Sequence, residues 1–512
     1  MSIASLVDQT CQKYSQRVCV VEGDQRLTYG QMQERANRLA RALIEMGVKP
    51  GDRVGIFQIN CFQFVEMFYA IAKVGAIFVS LNFRLRGQET SYILNNAEAK
   101  VLILGDRYAE LVQSIRGQLP QVKNYLSIGQ PVPDMQNYEA VLSAHSPAQI
   151  PSAKVPEDET VCIMYTSGTT GLPKGAMLTH ANIISTFYEK NTIPSGNLLV
   201  NVPMYHIAGV LSTLTTLERG DTLVILSQFE PNVFLETIEK EKVSTTYVVP
   251  TMLRAILDHP DFPKRELSSL KNILYGAAPM PIELLLRSLK VLPGNYLNAF
   301  GLTEATATIS ALTPEDHRLV GKREEIEKKK RRLSGVGHAL PEVELRVVDN
   351  QDRDVPIGQV GEVVARGKKI MKGYWKNPKA TEETLRGGWL HTGDLVSMDE
   401  DGYLYLAGRK KDMIIRGGEN IYPVEVEEVL HTHPKVLESA VIGVADSYWG
   451  EVVKAIIVLK PGQKATPEEI TEFCREKLAS YKKPTTVEFV DSLPKNAVGK
   501  VLKTVLRGDK PK

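Results

Sequence analysis

The chain has 512 residues, too many for one compact core, so two or more domains are expected. Its 62 basic and 60 acidic side chains leave a net charge of +2, and no global charge argues for nucleic acid. The five cysteines, Cys11, Cys19, Cys61, Cys162 and Cys474, form no Cys-x-x-Cys pair, so neither a disulfide framework nor a zinc site is indicated and a reducing, cytoplasmic setting fits.

Residues 1–25 lack the apolar core of a signal peptide, and no run reaches the roughly 18 apolar residues of a membrane span. Residues 27–47 read as an amphipathic helix, with Met32, Ala36, Leu39, Ala40 and Leu43 on one face. Gly51-Asp52-Arg53 is a turn; 54–59 is a strand, 62–74 a helix, 76–81 a strand, 89–97 a helix and 101–104 a strand. This alternation predicts parallel sheets covered by helices. Further strands are expected near 198–202, 222–226, 245–249 and 272–275. The charge run at 322–332 reads as a solvated helix, with Glu324–Lys328 and Glu325–Lys329 in the favourable i,i+4 order.

From residue 336 short strands dominate, with turns at Asn350-Gln351-Asp352 and Asp399-Glu400-Asp401-Gly402. A polar knot, Gly408-Arg409-Lys410-Lys411-Asp412, precedes a small α/β unit: helix 423–431, strands 436–444 and 452–459, helix 467–478 and strand 487–489. The expected domains are therefore 1–408, a boundary at 409–411, and 412–512, the last a unit of about a hundred residues.

One stretch concentrates small hydroxyl residues and glycine: Tyr165-Thr166-Ser167-Gly168-Thr169-Thr170-Gly171-Leu172-Pro173-Lys174-Gly175. The apolar run 161–164 before it reads as a buried strand, and 181–188 after it as a helix with Thr179 placed to cap its start. Strand, glycine-rich loop and helix together make an anion site. Glycines let successive backbone N–H groups turn toward one point, and the hydroxyls and Lys174 add donors. The expected guest is a phosphate chain. Lys174 is followed by Gly175, not Ser or Thr, which disfavours a Walker loop and an ADP-forming ATPase or kinase.

The string resembles the signature loop of the acyl-adenylate-forming superfamily, which comprises acyl-CoA synthetases, adenylation domains and luciferases. Asn298-Ala299-Phe300-Gly301-Leu302-Thr303-Glu304 is similar to that family's second signature. There an aromatic ring stacks on adenine, the threonine meets the α-phosphate and the glutamate coordinates magnesium; Phe300 stands where tyrosine is common. Gly276-Ala277-Ala278-Pro279 resembles the segment over the other adenine face, and Thr392-Gly393-Asp394 with Arg409 resembles the ribose contacts. In Pro494-Lys495-Asn496-Ala497-Val498-Gly499-Lys500 the resemblance gives Lys500, not Lys495, the role of bridging carboxylate and α-phosphate. Lys503 stands where the family often has arginine.

The same resemblance implies that the small domain is mobile, pivoting at Lys411 after adenylation to withdraw Lys500 and present Gly417, Gly418 and Glu419 to a thiol. Trp449 aligns with a tryptophan that stacks on the adenine of CoA, and Tyr481 and Lys483 would add a ring and a charge. Tyr205, His206, Ala208, Gly209, Ala305 and Ile309 would wall the acyl pocket, with His206 as a gate to the thiol tunnel.

The implied fold is α/β: a large N-terminal domain of helix-covered, mostly parallel sheets with a small β-barrel-like part, and a small α/β C-terminal domain. The implied activity is an ATP-dependent carboxylic acid–CoA ligase that forms an acyl-adenylate with Mg2+, ATP and CoA, acting on a fatty, aromatic or alicyclic acid. The alternative thiol is an acyl carrier protein. A scaffold that merely binds nucleotide predicts loss of Lys174, Glu304 or Lys500, and all three are present. A homodimer is compatible with the sequence, which does not specify the acid.

Overall fold

In the computed structural model the described residues are 2–166, 172–187, 195–292, 294–496 and 500–508. Two helix-covered sheets build most of the large domain. The eight-stranded sheet runs, in spatial order, Gly373–Tyr374, Lys174–Thr179, Thr160–Thr166, Ile77–Ser80, Arg53–Phe57, Ala99–Gly105, Asn124–Ile128 and Gln136–Asn137. From Thr160–Thr166 onward its neighbours are parallel, and the first two strands are antiparallel additions. The nine-stranded sheet has six parallel strands at its centre: Asn295–Phe300, Asn272–Gly276, Thr245–Val248, Leu198–Val200, Leu223–Ile225 and Val18–Glu22.

The helix Phe62–Val74 is apolar nearly all round, and it is buried on every face from Gln63 to Val74. It lies in one core that joins Val20, Val200 and Leu223 of one sheet to Val54, Phe78 and Cys162 of the other. Next to it, Tyr29–Glu45 starts later than the apolar pattern predicts. Thr28 ends the strand Gln25–Thr28 and caps the helix, accepting the Gln31 N–H at 3.2 Å while Gln31 Oε1 accepts the Thr28 N–H at 2.9 Å.

The stretch after the glycine-rich loop corrects the expectation. It is a strand, Lys174–Thr179, antiparallel to Thr160–Thr166, and the helix His180–Ser185 begins only beyond it, capped by Thr179. Position 188, expected in that helix, lies outside the described residues. The loop thus joins two strands, and the helix N-terminus lies at the far end of the second. Its residues are buried or half-buried on both faces, so it lacks the alternation of a half-exposed strand. At Gly175 a Cβ would stand 2.6 Å from Ile163 Cγ2, which explains the glycine after Lys174.

A four-stranded antiparallel sheet (Val343–Val348, Gly361–Gly367, Leu390–Met398, Leu404–Arg409) completes the part before the polar knot. The helix Arg323–Arg332 forms as expected, but Lys328, Lys329 and Arg332 pair outside it. Lys329 pairs with Glu315 at 2.9 Å, and Lys328 and Arg332 pair with Asp401 at 2.6 and 2.7 Å. Glu325 instead caps the helix start through the Lys322 N–H at 3.0 Å.

Arg409 ends the last strand of that sheet, Lys410–Asp412 is a single tight turn, and Ile414–Arg416 opens a separate five-stranded sheet. There a long hairpin, Val436–Asp446 with Gly450–Leu459, is covered by the helices Pro423–His431 and Pro467–Arg475 around Val426, Leu430, Val441, Ile457 and Ile470.

Candidate active site

A cleft of about 2140 Å³ opens at the carboxyl ends of the parallel strands and is closed on its far side by the small domain. Of the residues expected to hold nucleotide, Thr166, Lys174, Gly276, Ala277, Ala278, Pro279, Asn298, Ala299, Phe300, Gly301, Thr303, Glu304, Asp394, Arg409 and Lys500 line it. Ser167, Gly168, Thr169, Thr170 and Gly171 lie outside the described residues.

Glu304 sits in the short turn Thr303–Ala305 and is buried. Its Oε1 accepts hydrogen bonds from the Tyr374 hydroxyl at 2.8 Å and the Thr166 hydroxyl at 3.3 Å. Tyr374 is in reach because Gly373–Tyr374 pairs with Lys174–Thr179, and the Lys174 ammonium lies 5.2 Å from the Tyr374 ring. Burial, then the Glu304 charge, raises the Tyr374 phenol above its ordinary range. Among the described residues no cluster of three His, Cys, Asp or Glu could cage a metal. A single oriented carboxylate fits magnesium held mainly by phosphate oxygens and water. Tyr374 is not among the site residues expected from the sequence; it stands 70 positions from Glu304 along the chain.

In the segment expected to cover adenine, Ala277 holds φ +64°, a left-handed conformation unusual for alanine. A Cβ on the preceding Gly276 would stand 2.2 Å from the Ala299 carbonyl oxygen and 2.7 Å from the Tyr247 hydroxyl, so only glycine fits. Asn298 Oδ1 is buried and has no hydrogen-bond partner among the described residues.

Asp394 and Arg409 face each other across paired strands, with Arg409 Nε 2.7 Å from Asp394 Oδ1. Burial raises the Asp394 carboxyl, and the charges of Arg409 and Lys500 oppose that rise. The turn is fixed by two hydrogen bonds to the neighbouring strand: Thr392 Oγ1 donates to the Val363 carbonyl at 2.6 Å, and Glu362 accepts the Gly393 N–H at 3.0 Å. Lys410 pairs with the same Glu362 at 3.2 Å. Lys411 lines the cleft, and burial lowers its ammonium.

Lys500 arrives on a hairpin. Lys495 bridges to Val501, the Lys500 N–H donates to Asn496 Oδ1 at 2.9 Å, and the Asn496 N–H donates to the Lys500 carbonyl at 2.8 Å. Its side chain reaches cleft solvent while protein surrounds it at longer range. That enclosure, then Arg409, brings its ammonium down to about 8. Lys495 also lines the cleft but is held by Glu438, 2.7 Å from both of its oxygens.

The acid-side expectations divide. His206 and Ala208 line the cleft, and burial lowers His206 to about 4, leaving its ring neutral near pH 7. Tyr205, Gly209, Ala305 and Ile309 do not line the cleft. Tyr205 is buried edge-on against Phe83, with ring centroids 5.5 Å apart. Gly209 is small because a Cβ would meet the Pro203 carbonyl oxygen at 2.4 Å and Met204 Cα at 2.6 Å. Ala305 and Ile309 are fully enclosed with Val343, Ala365 and Leu390.

The thiol-side expectations gather elsewhere. Gly417 and Gly418, at φ +58° and +90°, turn the chain beside Trp449, whose carbonyl accepts the Gly417 N–H at 2.8 Å. Arg416 lies 5.3 Å from the Trp449 ring and donates to the Tyr481 carbonyl at 2.8 Å. Trp449 is 44% exposed, and none of Gly417, Gly418, Glu419, Trp449, Tyr481 and Lys483 lines the cleft.

Residues 7–375 match the AMP-binding enzyme family, and residues 425–500 match the AMP-binding enzyme C-terminal domain. The chain is 38% identical over 494 residues to feruloyl-CoA synthase from an Amycolatopsis species, covering 95% of each protein. It is 35% identical over 492 residues to the fatty acid–acyl-carrier-protein ligase ScoC of Streptomyces coeruleorubidus, covering 94% of this chain and 91% of that one. The solved anthranilate CoA ligase AuaEII, in complex with anthranoyl-AMP, superposes with a TM-score of 0.90 at 29% identity, covering 99% of this chain and 97% of that one. With two family regions in order along an α/β fold of this kind, the chain belongs to the AMP-binding enzymes, the acyl-adenylate-forming superfamily.

Proposed function

We propose that this protein is an AMP-forming acid–CoA ligase. The acid's carboxylate oxygen attacks the α-phosphorus of ATP as the bond to diphosphate breaks. The sulfur of CoA then attacks the acyl carbon of the adenylate, AMP leaves, and the thiol proton goes to solvent. The observation that carries this reading is one cleft in which Lys500 of the small domain meets Lys174, Glu304, Asp394 and Arg409 of the large one.

In this reading Lys500 neutralises the α-phosphate and the incoming carboxylate together, and preorganised donors of this kind are worth about 10²–10³-fold in rate. Glu304, oriented by Tyr374 and Thr166, would hold magnesium, which when bound supplies charge neutralisation at the phosphates. The unpartnered Asn298 Oδ1 suits the exocyclic amine of adenine. Asp394 accepts from the ribose diol, with Arg409 beside it.

Lys500 faces the cleft and the Gly417–Gly418 turn does not, although both sit beyond the polar knot. Residues 412–512 therefore turn about Lys411 between the two steps, moving relative to 1–408. The acid lies along the helix Ile207–Arg219, whose cleft-lining residues extend from Ile207 to Arg219, about 18 Å at 1.5 Å per residue. That length suits a fatty or an aryl-alkanoic acid. Loading of an acyl carrier protein is the second reading, favoured by the likeness to ScoC.

Diphosphate exchange into ATP across a panel of acids tests the first step, and thioester formation with CoA or an acyl carrier protein tests the second. Release of ADP, or no AMP from any acid, would refute the reading.

A further inference from the structure

The cleft contains hydroxyl groups without a hydrogen-bond partner among the described residues, at Tyr247 and on the helix along which the acid is proposed to lie. Tyr247 lies in the strand Thr245–Val248, opposite Leu274 of the strand that ends at Gly276, and lines the cleft. Its oxygen covers the open face of Gly276, 2.7 Å from where a Cβ would stand. It has no hydrogen-bond partner among the described residues, and burial alone raises its phenol above the ordinary range. On the helix Ile207–Arg219, Thr213 and Thr216 donate to the carbonyls of Gly209 and Ser212 at 2.9 and 2.7 Å. Ser212 and Thr215 line the cleft without such a bond among the described residues.

These groups decide what an acid gains or loses by entering. Water can serve a hydroxyl in an empty arm. A hydrocarbon strips that water and returns nothing, leaving a buried O–H unpaired. An acid with an oxygen at that level replaces the water's hydrogen bonds. Sites that hydrogen-bond a substrate oxygen reject the analogue lacking it far more strongly than apolar pockets reject a spare methylene.

We propose that Tyr247 is a specificity-determining residue whose hydroxyl reads a hydroxyl or ether oxygen on the body of the acid, so that the enzyme prefers an oxygenated acid to its deoxy analogue. This inference rests on the ligase reading and deepens it by naming the acid's chemistry. Ser212 and Thr215 extend the same preference further along the arm.

The test uses matched acids: phenylpropanoic acid against its ring-hydroxylated and ring-methoxylated forms, and decanoic acid against its mid-chain hydroxy forms. The readout is kcat/KM for diphosphate exchange with the wild type, Tyr247→Phe and Ser212→Ala. The wild type should favour at least one oxygenated member of a pair by about tenfold to a hundredfold. Tyr247→Phe should erase most of that ratio by losing rate on the oxygenated acid while keeping rate on the deoxy one. A wild type without preference, or a ratio unchanged in Tyr247→Phe, overturns the inference and leaves the ligase reading standing. No exchange with any acid overturns the ligase reading, and this inference with it. Should Tyr247→Phe be unstable, a ratio unchanged in Ser212→Ala together with a wild type indifferent to ring oxygenation overturns the inference by itself.

Discussion

Replacing Glu427 by glutamine should damage adenylation and spare thioester formation. Glu427 lies on the helix Pro423–His431, and one of its oxygens accepts from Lys503 Nζ at 2.7 Å and from the Val441 N–H at 2.8 Å. Glutamine keeps an acceptor for Val441 but removes the charge opposite Lys503. The two side chains are only 16% and 15% exposed, so water screens the pair weakly and its loss should cost about 1–3 kcal/mol. That loss falls on the C-terminal segment three residues beyond Lys500. Lys495–Glu438 at 2.7 Å and Arg507–Asp412 at 2.9 Å anchor the same segment on either side, so the domain should stay folded while the Lys500 hairpin loosens. A loosened donor should slow diphosphate exchange by about tenfold. Conversion of a supplied acyl-adenylate with CoA should change by less than about twofold, since the proposed second step withdraws Lys500. The swap Glu427→Lys with Lys503→Glu should recover part of the exchange rate. Equal losses in both half-reactions, or no loss in either, would refute the reasoning.

Lys500→Ala should abolish diphosphate exchange yet leave a supplied acyl-adenylate reactive with CoA, whereas Gly418→Leu should do the reverse; loss of the same half-reaction in both would end the domain-alternation proposal. With the surrounding protein and Arg409 bringing Lys500 down to about 8, its ammonium is charged below that pH and neutral above it, so kcat/KM for adenylation should fall as pH rises through about 8. Lys500→Arg, which stays protonated, should move that limb upward in a pH series. Tyr374→Phe removes the 2.8 Å donor to Glu304 and should lower adenylation kcat by about tenfold, with higher magnesium recovering part of it.

Chemistry that needs fixed residue types at short spacing was legible in the sequence. Asn298 through Glu304 and Thr392 through Asp394 come to one cleft because each run is continuous chain at the end of a strand or within one. What could not be read is how distant strands share a wall. The strand Lys174–Thr179 hid its nature because cover on both of its faces removes the alternation that marks a half-exposed strand. Tyr374 reaches Glu304 only because that hidden strand pairs with Gly373–Tyr374.

The acid pocket shows the sharper limit. Small side chains at Ala208, Gly209 and Ala305 all suggest room, but smallness does not say on which side the room lies. At Gly209 the space is taken by the Pro203 carbonyl, and at Ala305 by a closed apolar cluster, while Ala208 alone of the three opens to the cleft. Tyr247 makes the converse point. A large aromatic in a strand reads as core from sequence, yet this one lines the cleft and its hydroxyl has no partner among the described residues. The residues proposed to hold the nucleotide answer to a chemistry common to every acid, and so they carry motifs. Those that choose the acid need only meet it in space, so their identity follows from which strand faces which helix, and it is there that substrate preference should be sought by substitution.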